Sequence, residues 1–239
     1  TGAYDESYAR GQPFGRNQKT GDARISGSLA ALVGLEVAIE RDDADAIDIA
    51  VRLILLLHSM IMSFGGLPLL YYGDEIGITN DYHYLENEDK ASDNRWMHRP
   101  QIDWDKAAKR DEHGSVEQKI FNGLHRMIAV RKTTPAFADF NNRELLQTGN
   151  PHLFAFLRHH PVHMADQVLV IGNFDDHPQT LSLDDLGDRG IFRQGAPQDL
   201  YSGSSPQIFK EQLVVPPRSF YWLTDQGSDS TLIQPAIYA

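Results

Sequence analysis

The sequence predicts an α/β fold over the first part of the chain, followed by an antiparallel β-sheet or sandwich. Two segments, 44–64 and 115–132, place apolar residues at helical spacing. Between them the short run 67–72 is apolar without alternation and follows a glycine pair, which is typical of a strand buried on both faces of a parallel sheet. After Pro135, short apolar runs separated by turn residues replace the helices and indicate antiparallel strands.

The first long helix has aspartates at 42, 43 and 45 around its amino terminus, where negative charge complements the helix dipole. The uncharged stretch 53–73 has the length of a membrane span. Two glycines and Pro68 interrupt it, however, and leave the helical part too short to cross. We therefore expect a buried helix, a tight turn and a buried strand, and no membrane partner.

The second long helix is predicted to begin at Ser115, because Gln118 three residues later completes a capping box. Pro135 lies just beyond its expected end. Strands are expected at 153–157, 168–171, 180–183, 213–215 and 220–223. The predicted division of the chain is a first domain at 1–137, an antiparallel β-domain at 138–226 and a polar tail at 227–239.

Composition narrows the classes of partner. The chain has 239 residues, a formal net charge of −11 and no cysteine. An acidic chain repels phosphate backbones, so nucleic acid is not an expected partner, whereas neutral ligands such as sugars are compatible with it. The lack of cysteine excludes a disulfide framework. We expect a cytoplasmic location, with secretion left open, and no cofactor.

The segment 65–77 reads G-G-L-P-L-L-Y-Y-G-D-E-I-G. It resembles the segment after the eighth barrel strand in enzymes of the α-amylase superfamily. The resemblance implies that residues 1–137 are the C-terminal part of a (β/α)8 TIM-type barrel, whose active site lies at the carboxyl ends of its strands. It also implies that Asp74 and Glu75 brace neighbouring loops by hydrogen bonds. A catalytic role for either carboxylate is the alternative.

The segment 91–100 reads A-S-D-N-R-W-M-H-R-P and resembles a segment of amylosucrases and sucrose hydrolases. In that group the first arginine pairs with an aspartate from another barrel loop and closes the bottom of a pocket for the glucosyl ring of sucrose. The matching residue is Arg95, whose planar guanidinium can fix a carboxylate and still donate to hydroxyls. Asp93 is expected to support it. The alternative is a surface arginine in an acidic loop.

The segments 9–14 and 20–27 are similar to the loop after the seventh strand in the same group. The resemblance implies that Arg24 lies beside the fructosyl or acceptor site, with Asp22 as a supporting residue. The group often carries a glutamine after Pro-Phe that reaches the acceptor, and this chain has Gly15 there. Extension of a glucan is therefore a weaker expectation than cleavage of sucrose.

Other candidate motifs do not fit their chemistry. Lys19-Thr20 does not follow the glycine that a phosphate loop requires. The run 159–163 contains three histidines without a carboxylate or cysteine at useful spacing, and the acidic run 86–89 lacks the ligand pattern of a calcium loop. No metal site is therefore expected.

Together the segments resemble the amylosucrase and sucrose hydrolase group of glycoside hydrolase family 13. The resemblance implies a retaining enzyme that cleaves sucrose through a covalent glucosyl-enzyme and transfers glucose to an α-glucan or to water. Its nucleophile and acid/base would precede Thr1, so the chain alone is expected to be inactive. The expected partners are sucrose, an α-glucan acceptor and the rest of the barrel. The alternative is a non-catalytic barrel that binds sugar or a protein partner.

Overall fold

The computed structural model describes residues 7–159, 162, 167–188, 191–192 and 196–225, so the predicted tail at 227–239 lies outside the described residues. The chain forms two compact units. The first comprises Thr1–Ile54 and Leu70–Gly123, and the second comprises Leu55–Leu69 and Leu124–Ala239. The predicted boundary near residue 137 does not follow this division, because the carboxyl-terminal parts of both long helices pack with the β-sheets of the second unit.

The first unit opens with an antiparallel hairpin of β1 (Gln12–Phe14) and β2 (Arg24–Ser26). The sequence predicted only a long loop here, because three-residue strands show no periodicity. Two short helices follow, α1 (Leu29–Leu32) and α2 (Leu35–Glu40), as the apolar run near residues 29–35 indicated. The Ser28 side chain caps α1 by accepting a hydrogen bond from the N–H of Ala31.

The long helix α3 (Ala44–Phe64) has the bounds that the sequence predicted. By length and composition it could cross a membrane, with a mean hydropathy of 1.8, and half of its most apolar window is buried inside the protein. Ser59 and Ser63 are fully buried, and each hydroxyl donates to a carbonyl of the preceding helical turn. These internal bonds satisfy the hydroxyls and let this part of α3 serve as a core helix.

The predicted buried strand at 67–72 is wrong for the chain by itself. Residues 67–71 have no regular structure, and the Leu67 and Leu69 side chains are 86% and 82% exposed. A strand is held by hydrogen bonds to a neighbouring strand, and none of the described strands lies beside this segment. The apolar run is present without the sheet that would bury it.

The predicted long polar loop between the two helices is a series of short turns. It contains 3₁₀ helices at Asp74–Ile76, His83–Glu86, Asn94–His98 and Lys109–Asp111, with the short helix α4 at Trp104–Ala108. The second long helix, α5, covers Val116–Thr133. Ser115 Oγ accepts from the N–H of Gln118 at 2.9 Å as predicted, whereas Gln118 Oε1 accepts from the N–H of Gly114 rather than Ser115.

The second unit is an antiparallel β-structure, and the five predicted strands are confirmed. A five-stranded sheet has the order β3-β4-β5-β10-β7, and a three-stranded sheet has the order β6-β9-β8. Their bounds are β3 Arg143–Leu146, β4 Leu153–His159, β5 Gln167–Asn173, β6 Gln179–Ser182, β7 Pro197–Asp199, β8 Ile208–Phe209, β9 Gln212–Val215 and β10 Ser219–Asp225, with a short helix α6 at Leu183–Asp188.

Strand β4 is covered on both faces. Leu153, Ala155 and Leu157 belong to one apolar core with residues of β5, β6, β9 and β10, so the two sheets share this core. On the opposite face Phe156 packs edge-on against Phe64 at the end of α3, with ring centroids 5.3 Å apart. This burial explains why the run had no alternating pattern in the sequence.

Candidate functional site

The three segments that carry the family resemblance meet at the 3₁₀ helix Asn94–His98, within the first unit. The Asn94 side chain joins it to the hairpin: Nδ2 donates to the carbonyl of Pro13 at 2.8 Å, and Oδ1 accepts from Ser26 Oγ at 3.0 Å. The segment 91–100 is thereby fixed on both strands of β1–β2. Asn94 was not singled out from the sequence, since its two partners lie 81 and 68 residues away.

Arg95 is held by a carboxylate of its own segment. Its Nε and Nη2 atoms donate to the two oxygens of Asp93 at 2.8 Å and 2.7 Å, and its side chain remains 48% exposed. These bonds hold the pKa of Asp93 at about 2. The resemblance implied a partner aspartate from another loop, whereas the structure places Asp93 in that position. A carboxyl group with this pKa stays ionised at neutral pH and cannot act as a general acid.

Phe14 links the two arginines that the sequence predicted as substrate contacts. The Arg95 guanidinium carbon lies 5.3 Å from the centroid of the Phe14 ring, within reach of a cation–π contact. Arg24 is the cross-strand partner of Phe14 in the hairpin, so their side chains share one face. The structure therefore brings Arg24 and Arg95 to the same half-buried aromatic side chain, with Arg24 exposed to solvent.

Asp22 lies in the turn that joins the two strands of the hairpin, and it is exposed. Its carbonyl accepts from the N–H of Asn17 at 2.7 Å, and its own N–H donates to Thr20 Oγ1 at 3.3 Å. The supporting role predicted for Asp22 is thus performed by its backbone, which closes the turn between β1 and β2.

Asp74 and Glu75 form a tight 3₁₀ turn after the exposed apolar run. Glu75 Oε2 accepts from the N–H of Gly73 at 2.8 Å, so the carboxylate braces its own turn. Gly73 has a φ of 88°, and an added Cβ would lie 2.6 Å from Ile78 Cγ2, so the turn requires glycine. Asp74 is half-buried beside it, and its N–H donates to the carbonyl of Tyr71 at 3.2 Å.

The first motif segment contacts the second through its paired tyrosines. The Tyr72 hydroxyl donates to the carbonyl of Pro100 at 3.1 Å, and the Tyr71 ring lies 6.3 Å from the ring of His98. Burial and the neighbouring Arg99 lower the pKa of His98, and its Nδ1 is buried without a hydrogen-bond partner among the described residues. His98 was quoted in the motif but was not predicted as a site residue.

A buried carboxylate fixes the loop that carries this cluster to α1 and α2. Glu36 is buried and accepts from the N–H of Asn80 at 3.0 Å and from the Tyr82 hydroxyl at 2.5 Å. The Asn80 side chain in turn accepts from the N–H of Ser28 at 2.8 Å and donates to the carbonyl of Arg10 at 3.1 Å. Burial and the Glu36 bond raise the pKa of Tyr82 to about 12, so the phenol remains a donor.

Comparisons with known proteins fit this arrangement. Residues 143–222 match the model of the maltogenic amylase C-terminal domain. The trehalose synthase/amylase TreS of Mycobacterium tuberculosis is 29% identical over 168 residues, which are 62% of this chain and 28% of that protein. These matches support the α-amylase family, glycoside hydrolase family 13. The α-1,4-glucan:maltose-1-phosphate maltosyltransferase of Bifidobacterium longum is 30% identical over 111 residues, or 42% of this chain and 14% of that protein.

Solved structures show the same fold. AmyP in complex with maltose superposes with a TM-score of 0.57 at 16% identity, over 82% of this chain and 37% of that one. A MutB mutant in complex with glucose gives a TM-score of 0.51 at 18% identity, over 72% and 38% of the two chains. This α-amylase-family chain has the α/β architecture and β-rich C-terminal domain of such proteins. It spans less than a third of the length of the curated relatives that it matches.

The described cluster is equipped for binding. Two arginines offer planar donors to hydroxyl groups, the Phe14 ring offers an apolar face, and Tyr71 and Tyr72 are about two-fifths exposed beside His98. The carboxylates nearest to the arginines are committed to Arg95 or to backbone contacts. The described cluster therefore supplies contacts for a polar, ring-shaped ligand, and the reacting carboxylates of a glycosidase would come from other residues.

Proposed function

We propose that the protein carrying this chain is a retaining, sucrose-acting α-glucosyl-transferring enzyme of the amylosucrase or sucrose hydrolase type. The observation that carries the proposal is the convergence of Arg24 and Arg95 on Phe14, with all three motif segments joined to the 3₁₀ helix between them. The names of the relatives, a trehalose synthase/amylase and a maltosyltransferase, are consistent with transfer of α-linked glucose units.

The chemistry assigns this chain a positioning task. A carboxylate from outside the chain would attack the anomeric carbon of the glucosyl unit, while an acid protonates the departing fructosyl oxygen. Water or a glucan hydroxyl would then attack the glucosyl ester and lose its proton to the same residue, now acting as base. Arg95 would fix the glucosyl ring at the pocket floor, and Arg24 would contact the fructosyl or acceptor side.

Incubation of the complete enzyme with sucrose tests the proposal. We expect equimolar release of fructose, with glucose appearing free or in an α-glucan. Chromatography of products formed with and without added glucan would separate the hydrolase from the transglucosidase. Gly15 favours water as the acceptor, since a glycine has no side chain to contact a glucan. Binding of sucrose without release of fructose would instead support the non-catalytic alternative, a sugar-binding barrel.

The barrel part of the proposal assigns the exposed run 67–72 to a strand completed by sheet neighbours from the rest of the protein. We expect the chain alone to aggregate or to bind a hydrophobic dye, because Leu67 and Leu69 are more than 80% exposed. The double substitution Leu67→Ser and Leu69→Ser should reduce dye fluorescence several-fold. Leu85→Ser, at a leucine that is 52% exposed elsewhere, is the matched control and should change it little.

Two results would contradict this assignment. One is a monomeric chain that melts cooperatively and binds no dye. The other is equal dye binding by the double variant and the Leu85→Ser control.

A further inference from the structure

A cluster of two histidines and two aspartates lies at one end of the five-stranded sheet, in the second unit. His152 precedes β4, and Asp175, Asp176 and His177 form the turn after β5. The antiparallel register pairs Leu153 with Asn173 and so brings the two chain segments side by side. The backbone N–H of Phe174 donates to the carbonyl of His152 at 3.1 Å and closes this end of the strand pair.

The imidazoles approach Asp175 from both sides through their Nδ1 atoms. His152 Nδ1 lies 2.7 Å from Asp175 Oδ2, and His177 Nδ1 lies 3.1 Å from Asp175 Oδ1. His177 Nδ1 also lies 2.6 Å from Asp176 Oδ1. The ligand atoms of Asp175, Asp176 and His177 all lie within 4.8 Å of one another. A neutral imidazole has one N–H, so His177 cannot satisfy both carboxylates while two negative charges face each other.

The base of the cluster is rigid and its mouth is open. Asn173 is fully buried; its Oδ1 accepts from the N–H of Asp175 at 2.9 Å, and its Nδ2 donates to the carbonyl of His177 at 2.9 Å. The carbonyl of Asp175 accepts from the N–H of Arg218 at 3.0 Å. The Asp175 side chain is 15% exposed, whereas those of Asp176 and His177 are 69% and 79% exposed. An ion can therefore enter from solvent onto a fixed carboxylate.

We propose that His152, Asp175, Asp176 and His177 form a binding site for a divalent transition metal, with Zn²⁺ the best match. Two imidazole nitrogens with two carboxylates suit Zn²⁺ and its neighbours in the first transition row, whereas Ca²⁺ and Mg²⁺ favour oxygen ligands alone. Zinc ligands at about 2.0–2.2 Å stand about 3.3 Å apart in a tetrahedron. The observed separations need to widen by only a few tenths of an ångström. The bound ion would clip together the adjacent ends of β4 and β5.

Titration of the untagged protein with zinc chloride in a calorimeter tests this site. We expect one saturable equivalent in the parent protein, weakened at least about tenfold in His152→Ala and in His177→Ala. Co²⁺ in place of Zn²⁺ should give the visible absorption of a four-coordinate ion. His113→Ala, at an exposed histidine of the other unit, is the matched control and should bind as the parent does.

Circular dichroism of each variant checks that the fold is kept. Asp176→Asn, at a largely exposed side chain, replaces any histidine variant that does not fold, and it should weaken binding similarly. Three results would overturn the site: no saturable Zn²⁺ binding by the parent protein, equal binding by all variants, or loss confined to only one of the two histidines.

Discussion

Replacing Arg95 with alanine in the complete enzyme is expected to lower kcat/KM for sucrose about 100-fold while the protein stays folded. Arg95 joins the Asp93 carboxylate to the face of Phe14, and its side chain is half exposed beside the other motif residues. Removing it leaves Asp93 without its partner and the glucosyl ring without a fixed donor. The measurement is steady-state kinetics with sucrose, together with a melting curve of each variant.

Two further substitutions separate the charge of Arg95 from its geometry. Arg95→Lys keeps the charge but should rescue poorly, because an ammonium cannot reproduce the two-pronged contact with Asp93. Phe14→Leu keeps an apolar side chain and removes the aromatic face, so it should give a smaller loss with the same sign.

Arg110 supplies a matched control for this series, since its guanidinium carbon lies 5.2 Å from the ring of Phe121. Arg110→Ala removes a comparable arginine–aromatic contact away from the motif segments and should leave kinetics within about a factor of two. Normal turnover by Arg95→Ala with an unchanged melting temperature would show that Arg95 is a surface residue. The family assignment would then rest on the other two motifs and the β-domain.

The elements predicted correctly are those whose signal is local. Helix α3 was placed residue for residue, because an uninterrupted apolar segment ends at a glycine pair that cannot continue a buried helix. The strands of the β-domain were found for a similar reason, since turn residues bracket each apolar run. Helix α5 began where the Ser115 hydroxyl could satisfy a free backbone N–H.

The features that the sequence did not reveal depend on distant partners. The run 67–72 has the composition of a strand, but a strand forms only where a second backbone supplies hydrogen bonds. The hairpin β1–β2 is stabilised by Asn94, which lies far along the chain. The Asp93 partner of Arg95 is only two residues away, yet the resemblance directed attention to another loop. The cluster at His152 likewise exists only through the pairing of β4 with β5.

The candidate site shows the same division between local and distant information. Motif spacing identified Arg24 and Arg95 separately, but it gave no reason to place them at one aromatic ring. Phe14 could have been suggested by its place in the Pro-Phe pair once a hairpin was assumed, since it then faces Arg24. His98 required the structure, because only the approach of Tyr71 and the burial of Nδ1 distinguish it from an ordinary loop histidine.

Replacing Arg158 with alanine is expected to weaken the second unit more than any other single arginine change. Arg158 lies in β4 and is fully buried, and burial lowers its pKa to about 10. Its Nε donates to Asn142 Oδ1 at 2.8 Å, and its two terminal nitrogens donate to the carbonyls of Ser63 and Asp139. One guanidinium thus ties the end of α3 and the loop before β3 to the sheet.

Alanine at this position would leave the acceptors of Ser63, Asp139 and Asn142 buried without a donor, and it would also leave a cavity. Charged hydrogen bonds contribute about 1.5–3 kcal/mol each, and part of that contribution would be recovered by relaxation or entry of water. We expect a loss of about 3 kcal/mol in the free energy of local opening, which corresponds to about a 100-fold fall in protection. Hydrogen exchange of the β4 and β5 amides measures this quantity directly.

Arg143 is the control for this prediction, because it lies in the neighbouring strand β3 and its guanidinium is exposed. Its Nη1 donates to the carbonyl of Phe140 at 3.1 Å, and its Cζ lies 4.4 Å from the ring centroid of Phe64. Arg143→Ala should therefore cost no more than about 1 kcal/mol. Arg158→Lys should recover only part of the stability, since one ammonium cannot reach three acceptors that lie in different directions. Equal protection of the β4 amides in Arg158→Ala and Arg143→Ala would show that the buried guanidinium does not hold these segments together.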